Sequence, residues 1–188
     1  MSGGFELAIS HDKTGNDQKV KGSDNRLNVS SRSDSRAYYA SRDDSSVFSL
    51  IWQDASSEAG QFVAYWKNDD TTGRSLVVRN VGLNSENDST FKLHRVTGTA
   101  SGGTASAPAC ENQQTPKIAP ATAMTQLTGT ITGLTIETTH DVANVKAGSH
   151  EEFRTGDLIR LGQGQACAIE YDDGTTGKTN GVIVCFYE

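Results

Sequence analysis

The chain is poor in the features that membrane insertion, disulfide scaffolding or duplex binding require. Its 188 residues include 3 Cys, 3 Pro, 2 Met and 2 Trp, and aromatics make up 7%. No apolar run approaches the roughly 18 to 20 residues of a membrane-spanning helix. Basic residues number 17 against 23 acidic ones, a formal net charge of −6, and the pI is near 5.2. That balance argues against a surface for duplex nucleic acid, which is usually basic. Cys110, Cys167 and Cys185 are an odd number without close spacing, which fits reduced thiols made in a cytosol and not a disulfide framework. The opening Met1-Ser2-Gly3-Gly4-Phe5-Glu6 has no basic region followed by an apolar stretch, so no secretory signal is expected. A chain of this length can bury a proper core without a disulfide or a metal.

What is present is Gly, Ser and Thr, at 19, 19 and 20 residues, and their distribution is uneven. From Ser10 to Arg36 only Val20, Leu27 and Val29 are apolar. Residues 1–45 hold seven basic and seven acidic side chains, so the whole net charge belongs to the ten basic and sixteen acidic residues that follow. A segment so poor in apolar groups cannot offset its ordering entropy alone. It reads either as a loose tail or as an extended arm that orders against a neighbouring chain. Phe5, Leu7 and Ile9, and then Leu27 and Val29, are spaced by two and would anchor such an arm.

From Arg36 onward, strands alternate with turns. The expected strands are Val47–Gln53, Gln61–Lys67, Ser75–Leu83, Thr90–Thr97, Leu127–Thr132, Asp157–Leu161, Gln165–Tyr171 and Val182–Tyr187, rich in Val, Ile, Phe, Tyr, Trp and Thr. In Gln165–Tyr171, Cys167, Ile169 and Tyr171 oppose Ala166, Ala168 and Glu170, the alternation an antiparallel sheet needs. Asn68-Asp69-Asp70-Thr71-Thr72-Gly73 and Asp172-Asp173-Gly174-Thr175-Thr176-Gly177 supply turn chemistry. No sustained helical period occurs, and Ser149–Phe153 would make a turn or two at most. The expected fold is all-β, an antiparallel β-sandwich over residues 46–188 in jelly-roll form, preceded by the arm at 1–45. The stretch 98–123, with Gly102-Gly103, Pro108, Pro116 and Pro120, reads as a long exposed loop.

No constellation of catalytic side chains emerges. Gly174-Thr175-Thr176-Gly177-Lys178-Thr179 ends like a phosphate-binding loop, but the required first glycine falls at Asp172 and a strand follows where a helix should begin. His11, His94, His140 and His150 have no metal-ligand spacing. The pairs Asp43-Asp44, Asp69-Asp70, Glu151-Glu152 and Asp172-Asp173 raise calcium or a glycosidase pair, but turn chemistry accounts for most of them. Cys167 and Cys185 fall inside strands, while Cys110 lies in the loop. Trp52, Tyr65 and Trp66 would serve sugar stacking only if exposed, and their apolar strands favour burial. The sequons Asn28-Val29-Ser30 and Asn87-Asp88-Ser89 carry no weight without a secretion signal. The expectation is a non-enzyme without a cofactor or metal.

Several stretches carry a likeness: Arg36-Ala37-Tyr38-Tyr39-Ala40-Ser41-Arg42-Asp43-Asp44, Gly60-Gln61-Phe62-Val63-Ala64-Tyr65-Trp66-Lys67-Asn68 and Ser75-Leu76-Val77-Val78. With them go Phe91–Thr99, Ile131-Thr132-Gly133-Leu134, Leu161–Ala166 and the terminal Val182–Glu188. Over residues 36–188 the chain resembles virion structural proteins of tailed bacteriophages, in pattern and not through a catalytic signature. The resemblance implies a capsid decoration (cement) protein, a homotrimer with a jelly-roll body, made in the host cytoplasm and located on the capsid surface. Its partners would be the major capsid protein and further copies of itself, with neither nucleic acid nor membrane. The expected contacts are the arm residues Phe5, Leu7, Ile9, Leu27 and Val29, with the sheet face of Trp52 and the long loop forming the trimer contact. The alternative is a tail or head-fibre component that binds a host receptor or glycan. A secreted carbohydrate-active enzyme is disfavoured by the missing signal and the odd cysteine count.

Overall fold

The computed structural model describes residues 7–11, 17–20, 46–112, 114, 116–127, 129–153 and 159–188. The chain divides into two compact units, Met1–Asp34 and Ser35–Glu188. In the first, β1 (Leu7–His11) and β2 (Asp17–Val20) form an antiparallel hairpin, with Leu7 opposite Val20 and His11 opposite Asp17. Leu7 and Ile9 therefore lie on a strand, while Phe5, Leu27 and Val29 fall outside the described residues.

The second unit is all-β among the described residues, with no helix. Its strands are β3 (Val47–Ser57), β4 (Gln61–Asn68), β5 (Leu76–Ser85), β6 (Ser89–Ser101), β7 (Thr104–Ser106), β8 (Ala109–Cys110) and β9 (Ala121–Thr125). They continue with β10 (Thr132–Val145), β11 (His150–Glu152), β12 (Ile159–Leu161), β13 (Ala166–Gly174) and β14 (Gly177–Tyr187). Two antiparallel sheets result. The first runs β10-β6-β13-β4-β9-β7; the second runs β11-β5-β14-β3-β8, with β12 also on β5. From β3 to β6 each successive strand changes sheet, and β13 and β14 do so again.

Alternation along each strand decides what the sheets bury. On β3, Phe48, Leu50 and Trp52 turn inward, while Ser49, Ile51 and Gln53 turn outward. The inward residues of both sheets form one core, in which Trp52, Val78 and Ile183 from the second sheet join Trp66, Phe91 and Tyr171 from the first. Burying each such large side chain contributes on the order of 2 kcal/mol. Trp52 needs a specific vacancy. Directly across from it on β14 stands Gly181, where a Cβ would overlap the indole ring and the carbonyl oxygen of Gly82. Gly181→Ala is therefore expected to cost about 1 to 3 kcal/mol by overpacking, read as a lower urea midpoint with an unchanged far-ultraviolet spectrum.

The β4–β5 turn is closed by buried polar groups. Asn68 Nδ2 donates to the carbonyls of Arg74 (3.0 Å) and Leu161 (2.9 Å), and its Oδ1 accepts from the Asp70 N–H at 2.9 Å. Asp70, also buried, accepts from the N–H and Oγ1 of Thr72 at 2.7 and 2.6 Å, and from Nε and Nη2 of Arg74 at 2.9 and 2.5 Å. The Arg74 guanidinium lies 5.2 Å from the centre of the Tyr187 ring. Burial alone would raise the Asp70 carboxyl, but the hydrogen bonds from Thr72 and Arg74 outweigh it and hold the group down at about 2, from 3.8. Its contribution is complete above pH ~4 and is lost as pH falls through about 2. Asp70→Asn is expected to lose about 2 kcal/mol at neutral pH, with the gap to wild type narrowing in urea titrations taken toward pH 2.

The structure departs from the sequence reading in three stretches. The expected loop at 98–123 holds the end of β6, the strands β7 and β8 and the start of β9, because Cys110, Ala119 and Ala123 anchor it in the core. The expected strand Leu127–Thr132 is reduced to a single bridge between Ile131 and Phe62, and the strand itself, β10, begins at Thr132. β10 is an edge strand paired only with β6, through three register irregularities, and is exposed along most of its length. In place of a helical turn, Ser149–Phe153 contains β11.

Candidate functional site

The sequence-flagged motifs settle into structural roles. The Gly174–Thr179 segment carries the chain from β13 in the first sheet to β14 in the second, a crossing between sheets and not a hairpin. Tyr171 Oη donates to the Thr175 carbonyl at 2.7 Å, and Asn87 Nδ2 lies 3.4 and 3.3 Å from the carbonyls of Thr175 and Thr176. Gly174 has φ 154°, and a Cβ there would overlap the Tyr171 hydroxyl. The loop thus turns carbonyls toward side-chain donors and is followed by a strand, unlike a phosphate cradle.

Cys167 and Cys185 are fully buried in the core. Burial pushes the Cys167 thiol up to about 12 and Cys185 well above its ordinary value, so neither supplies a thiolate at neutral pH. Cys110, expected in a loop, is buried on β8. Trp52 and Trp66 lie in the shared core, and Tyr65 is buried on the other face of β4, so none presents a ring for sugar stacking. Among the described residues no three His, Cys, Asp or Glu side chains gather as a metal site would need. The acidic pairs are divided between separate partners. Asp69 meets Lys67 at 2.8 Å and Thr122 at 2.5 Å, while Asp70 takes Arg74; Asp172 meets Lys92 at 2.5 Å.

The outer face of the first sheet carries a polar row that the sequence did not reveal. His94 on β6 is 1% exposed, with Nε2 2.8 Å from Glu170 Oε2 on β13 and Nδ1 3.0 Å from Thr139 Oγ1 on β10. The ring of Phe62 stands edge-on to the imidazole at 6.3 Å. A carboxylate only accepts, so Nε2 carries the proton shared with Glu170, and Nδ1 exchanges a hydrogen bond with the Thr139 hydroxyl. The row ties three strands together and leaves no ring nitrogen orphaned. His94→Ala would leave Glu170 without this partner. The expected cost is about 2 kcal/mol by urea denaturation, and a smaller one for His94→Gln, which keeps a donor near the carboxylate.

The outer face of the second sheet is different in kind. Ile51 is 70% exposed and stands opposite Val182 on β14, which in turn stands opposite Gly82 on β5. The next rung aligns Ser49, Val184 and Asn80. The His150 imidazole lies over Gly82, where a Cβ would collide with it. On β3 and β14 the outward neighbours of Ile51 and Val182 are the uncharged Ser49, Gln53, Asn180 and Val184, but beyond Gly82 the same rung ends at Glu152 on β11, whose Oε1 accepts from Asn80 Nδ2 at 3.3 Å. The sequence reading placed the contact on the face of Trp52. Trp52 is 1% exposed and points into the core, so the solvent face of that strand belongs to Ile51.

No protein-family model matches the chain, and no curated protein and no solved structure matches it. Its functional reading therefore rests on its own geometry.

Proposed function

We propose that this chain is a non-catalytic structural protein of a tailed-phage virion, a jelly-roll β-sandwich that decorates and cements the head surface as a homotrimer. Strand order carries the reading. Omitting the short edge strands, one sheet runs β10-β6-β13-β4 and the other β11/β12-β5-β14-β3. Numbered by chain position, that order supports a jelly roll of two interlocked Greek keys, an architecture shared by viral capsid domains, lectins and cupins. Fold alone does not choose among these. A lectin needs free aromatic or polar stacking surfaces, and Trp52, Tyr65 and Trp66 are buried. A cupin needs clustered metal ligands, and among the described residues no three His, Cys, Asp or Glu side chains gather, while Asp69, Asp70, Asp172 and His94 are engaged with neighbours. A shell component needs solubility before assembly, which net negative charge favours, and surfaces for many weak contacts. Residues 1–45 would supply an arm over neighbouring capsid subunits, with the major capsid protein as partner.

The test is reconstitution on capsids that lack the protein. The expected result is density at capsid threefold positions in imaged particles and better survival of heat and low salt than bare capsids show. Absence of binding, or equal survival with and without the protein, overturns cementing. Density confined to the tail tip would replace it with the fibre reading.

A further inference from the structure

We infer that a small cavity at the start of β13 binds one neutral polyhydroxyl ring, a single sugar unit, by hydrogen bonds and without an aromatic platform. The cavity, of about 220 Å³, opens where β13 begins at Ala166 while its neighbour β6 runs on through Thr97 and Gly98. At about 30 Å³ per water it has room for about seven, less than a drug-sized pocket and enough for one ring.

Tyr65 on β4 is the first wall. It is 2% exposed, and a tyrosine so buried normally pairs its hydroxyl. Tyr65 lines the cavity, and among the described residues its hydroxyl has no hydrogen-bond partner. Asp69, whose charge it feels, is spent on Lys67 at 2.8 Å and Thr122 at 2.5 Å. Burial first, then Asp69 and Cys167, pushes the Tyr65 hydroxyl above its ordinary value, so it stays a neutral donor.

A bulge supplies the opposite wall. Pairing of β10 with β6 passes from Ile136 opposite Val96 to Thr138 opposite Arg95, so Glu137 is an extra residue. Such an insertion re-aims a side chain. Glu137 Oε2 lies 3.0 Å from Arg95 Nε, which nonetheless makes no hydrogen bond to it. Their charges cancel while the guanidinium donors and the carboxylate acceptor stay open. Gln165 Oε1 accepts from the Gly162 N–H at 2.8 Å, which leaves its Nε2 to donate.

Charge and donor count select the ligand. Arg95 balances Glu137, Lys67 balances Asp69, and burial, then Arg95 and His94, holds His140 below its ordinary value, so the site favours neither an anion nor a cation. An apolar ligand would strand the donors of Tyr65, Arg95 and Gln165. An amide brings one oxygen to three donors. Vicinal hydroxyls both accept and donate, so they answer these donors and Glu137 together, with the C–H face of the ring toward Val96 and Ala166. Tyr65 offers its hydroxyl and not its ring, so a single site is weak. The site does not depend on the head-surface reading. Where many copies are displayed, as that reading has it, weak sites add by avidity.

Titration of the full chain's amide resonances with the methyl glycosides of glucose, galactose, mannose and N-acetylglucosamine tests this. At least one is expected to shift the amides of Gly98, Gly164 and Gln165 at millimolar concentration. Tyr65→Phe keeps the ring, removes only the hydroxyl, and should weaken that binding about three- to tenfold. Glu137→Gln, at an exposed position on an edge strand, should weaken it as well and serves if Tyr65→Phe fails to fold. Lys178→Ala, exposed outside the cavity, should bind as wild type. Shifts with acetate or acetamide and with none of the sugars overturn the polyol assignment. So does a lack of shifts at the lining amides with every probe, or equal binding by wild type and both cavity variants. Each of those outcomes leaves the capsid reading to the reconstitution.

Discussion

The placement of the Trp52 indole against the bare backbone of Gly181 governs both surfaces of the second sheet. Because β-strand side chains alternate, sending residue 52 inward sends residue 51 outward. A one-residue slip of β3 against β14 would exchange them, putting an isoleucine in the core and an indole in water. Gly181 blocks the slip, since another residue opposite Trp52 would not leave room for the ring. The buried Trp52 and the exposed Ile51 are thus two readings of one register.

Buried polar groups perform the same service for the loops and for the other sheet. Asn68 and Asp70 bind the β4–β5 turn to Leu161 and Arg74, and His94 binds β6 to both of its neighbours. A hydrogen bond between fully engaged groups adds modest net stability, but a wrong register would leave several buried groups unpaired at once. Such groups act mainly by penalising alternatives. Lys92 with Asp172 and Arg95 with Glu137 continue the pattern at more exposed positions, where the energetic effect is smaller.

The strands with strong apolar alternation were legible in the sequence. Val47, Gln61 and Tyr187 end predicted and observed strands alike, because Phe48, Trp66 and Cys185 bury a whole face against the opposite sheet. β10 was not legible for the converse reason. An edge strand exposed along most of its length has no buried side to impose period two, and only Val145 at its end is fully buried. The small residues of 98–123 gave the composition of a loop, yet Ala123 and Cys110 pack into the core from the short strands β9 and β8. The His94 row escaped because its partners stand 45 and 76 residues away in sequence, and no local spacing announces a contact made across strands.

The irregular pairing of β10 bears on how the molecule behaves in a crowd. A straight edge of 14 residues would offer a regular ladder of unmatched amides and carbonyls, a template on which one chain after another could add without limit. Its offsets at Thr132/Leu134, Ile136/Thr138 and Thr139/Asp141 break that ladder into short, differently aimed pieces. Open-ended growth is thereby discouraged along this edge.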